Sequence, residues 1–169
     1  MSLGPKFQNW KPLSDVCTIG IGGPAQYFVE VCHVEEMQEI LLTCQKRRMR
    51  YLILGKGSNC LFDDRGFLGV VIHNKIDFFE EPSPGVFHVG AGYSFALLGT
   101  QTVRKGWAGL EFASGIPGTV GGAIFMNAGA NGMETCKTLT SVEFIDEKGA
   151  LHLLQKRGAS FLLSLFFFS

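Results

Sequence analysis

Between residues 26 and 54 the apolar pattern changes period twice. QYFVEV alternates as a strand does, VEEMQEILLTCQKRRM (34–49) then recurs at helical spacing with Val34, Met37, Ile40, Leu41 and Cys44 on one face, and YLIL (51–54) follows as a short apolar strand. Glu35 and Glu36 open the helix while Lys46, Arg47 and Arg48 close it, as the helix dipole favours. So short a strand–helix–strand run predicts a βαβ unit, with a parallel pair and a right-handed crossover. Ligands of such units lie beyond the carboxyl ends of the strands, and the loop GKGSN (55–59) leaves the end of YLIL.

The chain then continues through a further strand, VVIH (70–73), into a segment carrying Glu80, Glu81, Pro82 and Pro84, which reads as a loop between two lobes. Beyond it, VFHVGAG (86–92) reads as a strand and SFALLGTQTVRKG (94–106) as a helix stopped by Gly106. LTSVEFID (139–146) turns through EKG into ALHLL as a hairpin. The expected class is α+β: a βαβ lobe over residues 12–76 and a mixed lobe with antiparallel sheet over 84–156. A length of 169 residues suits one domain or two small lobes. The end of the chain, SFLLSLFFFS, holds only Phe, Leu and Ser, all of which have pyrimidine-only codons. Residues 157–169 are therefore expected to be an aberrant tail, from a translated intron or a shifted frame, with a terminal core strand as the alternative.

Charge and cysteine usage exclude several function classes. Fifteen basic and fifteen acidic side chains cancel, which leaves no field for nucleic acid or an anionic membrane surface. Cys17, Cys32, Cys44, Cys60 and Cys136 are odd in number and form no CxxC pair, so free thiols in a reducing compartment are expected. His33, His73, His88 and His152 have no carboxylate or cysteine at ligand spacing, and no metal is expected. No signal peptide or membrane span is legible, which points to a soluble, cytoplasmic protein.

Three glycine motifs remain. GIGGPA (20–25) fits the dinucleotide fingerprint formally, but Pro24 and a strand follow where a helix should start, so it reads as a turn into the first strand. In GKGSN, Gly55 and Gly57 can present backbone N–H groups to an anion while Ser58 and Asn59 add neutral donors; an ordinary turn fits equally well. GIPGTVGGA (115–123) combines bare main chain at Gly115, Gly118, Gly121 and Gly122 with the fixed φ of Pro117 and the hydroxyl of Thr119. It suits a flat or polyanionic ligand lying on the backbone, or else a glycine-lined helix crossing. Asp63 and Asp64 read as turn caps, and Glu111 as structural.

Taken together, PLSDVCTIGIGGPAQYF (12–28), YLILGKGSNCLFDDRGFLGVVI (51–72) and GLEFASGIPGTVGGAIFMNAGANGMET (109–135) resemble, in order and spacing, the N-terminal flavin-binding part of the UDP-N-acetylenolpyruvoylglucosamine reductase family. The resemblance runs from about residue 12 to 155. It implies a two-lobed FAD-binding domain, of the type shared with FAD-linked oxidases, that clasps the cofactor between its lobes. The cofactor-binding residues it implies are Gly55, Lys56, Gly57, Ser58, Asn59, Cys60 and Leu61, with Gly115, Ile116, Pro117, Gly118, Thr119, Gly121, Gly122 and Ala123. In the family NADPH reduces the flavin, which passes a hydride to the enolpyruvyl double bond during peptidoglycan precursor synthesis.

Several family features are missing. By the resemblance, the family's substrate-binding domain, through which the nucleotide sugar would be reached, and its proton-donating serine are expected to be absent from this chain, which stops at Ser169. Arg157 and Ser160, in KRGAS, lack the family's preceding tyrosine and its spacing, so no catalytic residue is assigned. Asn131 stands where the family commonly has tyrosine. The chain alone is therefore expected to be inactive, with a non-catalytic FAD-binding module or a ligand-free truncated product as the alternatives. An oxidase that tethers its flavin covalently would use a residue such as Cys60. A eukaryotic source would make a plastid the alternative location.

Overall fold

The computed structural model describes residues 7–156, so the tail 157–169, with Arg157 and Ser160, lies outside the described residues. The chain divides into two compact units. The first runs to Lys75 and takes in Glu147–Gly149; the second holds Ile76–Asp146 and continues from Ala150.

In the first unit, strand β1 (Gln8–Pro12) and a 3-10 turn (Leu13–Val16) lead to β2 (Pro24–Val31), helix α1 (Val34–Lys46), β3 (Tyr51–Leu54) and β4 (Phe67–Asn74). The predicted strand–helix–strand run is present, but its two strands are not neighbours. Sheet order is β1-β2-β4-β3, with β4 lying parallel to both β2 and β3 and β1 running antiparallel to β2. The reason lies in β4: Val70, Val71 and Ile72 are fully buried, and the middle of the sheet is where such a run is covered on both faces. Helix α1 buries Met37, Ile40, Leu41 and Cys44, four of the five residues on its predicted apolar face, while Val34 is half-buried. A cluster of Leu13, Ala25, Phe28, Leu54 and Val71 forms a core that the half-buried Cys60 and Phe62 extend.

The second unit opens with a departure from the sequence reading. The segment expected to be a linker forms strand β5 (Phe79–Ser83), antiparallel to β6 (Val86–Val89). Pro82 is tolerated because the ladder register shifts between Glu80 and Ser83, where its missing N–H costs no ladder bond. Glu81 pins this hairpin to the end of helix α2 (Phe95–Arg104), accepting from Lys105 Nζ (2.5 Å), Trp107 Nε1 (3.0 Å) and Gly85 N (3.2 Å). A 3-10 turn (Glu111–Gly115), helix α3 (Val120–Phe125), the short pair β7 (Gly129–Ala130) and β8 (Met133–Glu134), and helix α4 (Thr135–Thr138) follow. The predicted hairpin closes the unit as β9 (Ser141–Ile145) against β10 (Leu151–Gln155). Phe87, Val89, Phe95, Leu98, Phe112, Val120 and Ile145 are buried. Among the described residues, no helix is long and apolar enough to cross a membrane.

Candidate functional site

Leu54 pairs with His73, so the loop after β3 leaves the carboxyl edge of two parallel strands, where the sequence placed it. Gly57 is buried at φ +63°, and a Cβ there would lie 2.4 Å from the Val16 carbonyl oxygen and 2.7 Å from Cys17 Cα. Its bare face is thus filled by the protein's own chain. The Gly57 carbonyl accepts from Thr18 N at 3.1 Å and Thr18 Oγ1 at 3.4 Å, which ties the turn of residues 17–23 to this loop. Lys56, Asn59 and Leu61 are exposed, Gly55 and Ser58 half-buried. Burial, then the neighbouring Cys17, push the Cys60 thiol up.

The GIGGPA turn leads into β2, as read from sequence; Gly22 and Gly23 pack closely on Phe62 and Asp64, whereas Gly20 meets nothing within 4 Å. Gly23 N and Gly66 N both donate to the Asp63 carbonyl at 2.9 Å. A Cβ on Gly23 would come within 2.0 Å of the Asp64 carbonyl oxygen, and one on Gly66 within 2.0 Å of that of Pro24. The Asp63 carboxylate caps the turn by accepting from Arg65 N, Nε and Nη2 at 2.7–2.9 Å, bonds that hold it well below the usual carboxylate range.

In the second unit the glycine stretch contains helix α3, so a loop and a glycine-packed helix are both present. The Thr119 hydroxyl accepts from Gly122 N at 3.3 Å and caps the helix, which commits this buried group to the fold. Gly121 N donates to the Ala91 carbonyl at 2.8 Å, and a Cβ on Gly121 would stand 3.0 Å from that oxygen. Gly121 therefore serves packing, and Ala123 is buried beside it in α3. Gly118 sits at φ +122° and its carbonyl accepts from Phe95 N at 3.2 Å. Gly115 and Gly122 differ from these. Both are exposed; a Cβ on Gly115 would meet nothing within 4 Å, and one on Gly122 only the Thr119 hydroxyl at 3.5 Å. Between them Pro117 is exposed and Ile116 half-buried, while Thr119 and Val120 are buried. Glu111 accepts from Gly109 N at 2.7 Å, a local bond within the turn.

Strand pairing gives His73 and His88 carboxylate partners that sequence spacing missed. His73 Nδ1 lies 3.1 Å from Glu30 Oε1, His88 Nδ1 3.3 Å from Glu80 Oε2, and His152 Nε2 2.9 Å from Asp146 Oδ2. The pairs Glu30–His73 and Glu80–His88 are direct cross-strand neighbours, so only knowledge of the register could have found them. Burial, then nearby Lys75, lowers the His73 pKa, against the opposing pull of Glu30 and a bond to the Gly55 backbone.

The open space beside exposed Gly115 and Gly122 is room in which a flat or anionic ligand can approach the backbone. A family model described as "FAD binding domain" matches residues 25–155. The UDP-N-acetylenolpyruvoylglucosamine reductase of Protochlamydia amoebophila is 58% identical over 161 residues, 95% of this chain and 54% of that protein. The protein of the same name from Chlamydia trachomatis serovar A is 50% identical over 144 residues, 85% of this chain and 50% of that protein. Among solved structures, the UDP-N-acetylenolpyruvylglucosamine reductase of Thermus caldophilus matches with TM-score 0.71 and 35% identity, covering 85% of this chain and 50% of that one. p-Cresol methylhydroxylase, at 13% identity and TM-score 0.57 over 79% of this chain and 28% of its own, shares the fold alone. The chain spans about half the length of the curated relatives it matches. With its α+β architecture, shared by this reductase and by flavin-linked oxidases, the chain belongs to the FAD binding domain family.

Proposed function

We propose that this chain is the FAD-binding part of an NADPH-dependent reductase that converts UDP-N-acetylglucosamine enolpyruvate to UDP-N-acetylmuramate in the cytoplasm. The observation that carries this reading is the near-complete coverage of the chain by the Protochlamydia reductase at well over half identity. The residues proposed to hold FAD are those of 55–61 and of 115–123, one stretch from each proposed lobe, 12–76 and 84–156. The exposed glycines Gly115 and Gly122 support this, since bare main chain can approach the cofactor without an intervening side chain.

FAD, when bound, supplies two-electron redox chemistry; the protein supplies binding and orientation. Backbone N–H groups of these stretches and the neutral donors Ser58 and Asn59 would hold the anionic part of the cofactor. Gly57, Gly121 and Thr119 act one step back, holding the two stretches in shape through the contacts described above. No residue of the chain is assigned a proton-donating role. These 169 residues alone are expected to bind FAD and to leave the enolpyruvyl sugar nucleotide unreduced.

Titration of the chain with FAD, followed by flavin fluorescence, tests the reading. Saturable binding that Gly115→Val and Gly122→Val both weaken at least tenfold is expected. Binding that neither substitution alters would contradict the residue assignment, and NADPH-dependent turnover by the chain alone would contradict its inactivity.

A further inference from the structure

The left-handed φ of Gly57 and the Val16 carbonyl oxygen, 2.4 Å from where a Cβ would stand, together bar any side chain from stiffening the loop at this point. A glycine backbone turns over more readily than any other, so the restraint has to come from across the gap. Thr18 supplies it. Its N–H donates to the Gly57 carbonyl at 3.1 Å and its hydroxyl donates to the same oxygen at 3.4 Å. Thr18 is itself exposed, so its side chain fills no core. Further along, Gly22 packs on Phe62, and Gly23 N donates to the Asp63 carbonyl at 2.9 Å. The turn of residues 17–23 therefore backs the loop at several points, all of them within the first unit.

We propose that Thr18 is a positioning residue for the FAD loop: by fastening the Gly57 carbonyl to the 17–23 turn it fixes how the Gly57–Ser58 peptide unit is oriented. The inference rests on the reading of residues 55–61 as part of the FAD site. A carbonyl oxygen carries partial negative charge and repels a phosphate that it faces, whereas an oxygen held by two donors of the protein stays turned toward them. Because a trans peptide unit is planar, holding its oxygen also sets the direction of the N–H at its other end. Thr18 thus keeps the loop in the one orientation that does not oppose an anionic ligand, while standing outside the residues expected from the sequence to touch it.

The test uses the isotope-labelled 169-residue chain without and with FAD. Thr18→Val keeps the branched shape and removes the hydroxyl, whereas Thr18→Ser keeps the hydroxyl. In the cofactor-free chain, Thr18→Val should shift the carbonyl carbon resonance of Gly57 and speed hydrogen exchange over residues 57–59. It should also weaken FAD binding about threefold, the loss of one hydrogen bond. Thr18→Ser should restore resonance, exchange and affinity together, and circular dichroism checks that both variants fold. A Gly57 resonance and a loop exchange that Thr18→Val leaves unchanged would overturn the proposal whatever FAD does. A loop that responds in a chain whose parent takes up no FAD would overturn the cofactor reading instead, and with it the claim that Thr18 serves FAD. A loop that responds without any change in FAD affinity, or a Thr18→Ser chain that behaves as Thr18→Val does, would overturn that claim too.

Discussion

Glycines that look alike in the sequence do unlike things in the fold, and substitution separates them. Gly66 sits at φ +79° with its vacant side against the Pro24 carbonyl, so Gly66→Ala meets both backbone strain and a clash with main chain. Its expected cost is about 3 kcal/mol or more in urea unfolding, as for other strained, closely packed positions. Gly115→Ala faces open space at a negative φ, and should change stability by no more than about 0.5 kcal/mol while weakening FAD binding. A Gly115→Ala variant that unfolds early, or that binds FAD as the parent does, would contradict this division. His73 gives a pH signature at the same scale. Its folded pKa is depressed, so the unfolded chain takes up the proton more readily. The stability it contributes is complete above the unfolded value of about 6.5 and is lost as pH falls below it. His73→Phe should flatten that part of the stability profile, and an unchanged slope between about pH 6.5 and pH 5 would contradict the assignment.

Elements were legible wherever local pattern decided them. Helix α1 shows its apolar face and its charge gradient in the sequence, and the β9–β10 hairpin shows its turn. What sequence could not supply was non-local order: that β4 inserts between β2 and β3, and that a segment with two prolines nearby pairs as β5. The site divides the same way. The two glycine stretches stand out as unusual composition, but which glycines face outward depends on contacts from elsewhere, Val16 and Cys17 on Gly57, Ala91 on Gly121. The carboxylate partners of His73 and His88 depend on strand register and were invisible for that reason. One element-level prediction follows from the cap of α3. Thr119→Ala removes the acceptor of Gly122 N and should cost about 1 kcal/mol, with Thr119→Ser restoring most of it. Equal thermal midpoints for the parent and the alanine variant would show that the cap contributes nothing.

At the scale of the whole molecule, charge and composition excluded partners more readily than they named one. Equal numbers of acidic and basic side chains leave a neutral chain, so the proposed hold on FAD falls to main-chain N–H groups and neutral donors. Salt should then matter little: FAD affinity is expected to change by less than about threefold between low and high ionic strength, since long-range attraction between net charges is absent. A steep salt dependence would point to a cationic site that the proposed residues do not form. Each compact unit carries one of the two stretches, so the account requires both units to be folded when FAD binds. The most direct test is the visible absorbance spectrum of the purified 169-residue chain after desalting, before and after incubation with FAD, alongside circular dichroism. A flavin spectrum that stays with the protein, at purification or after loading, is the result predicted. A folded chain that remains colourless and takes up no added FAD would contradict the central claim.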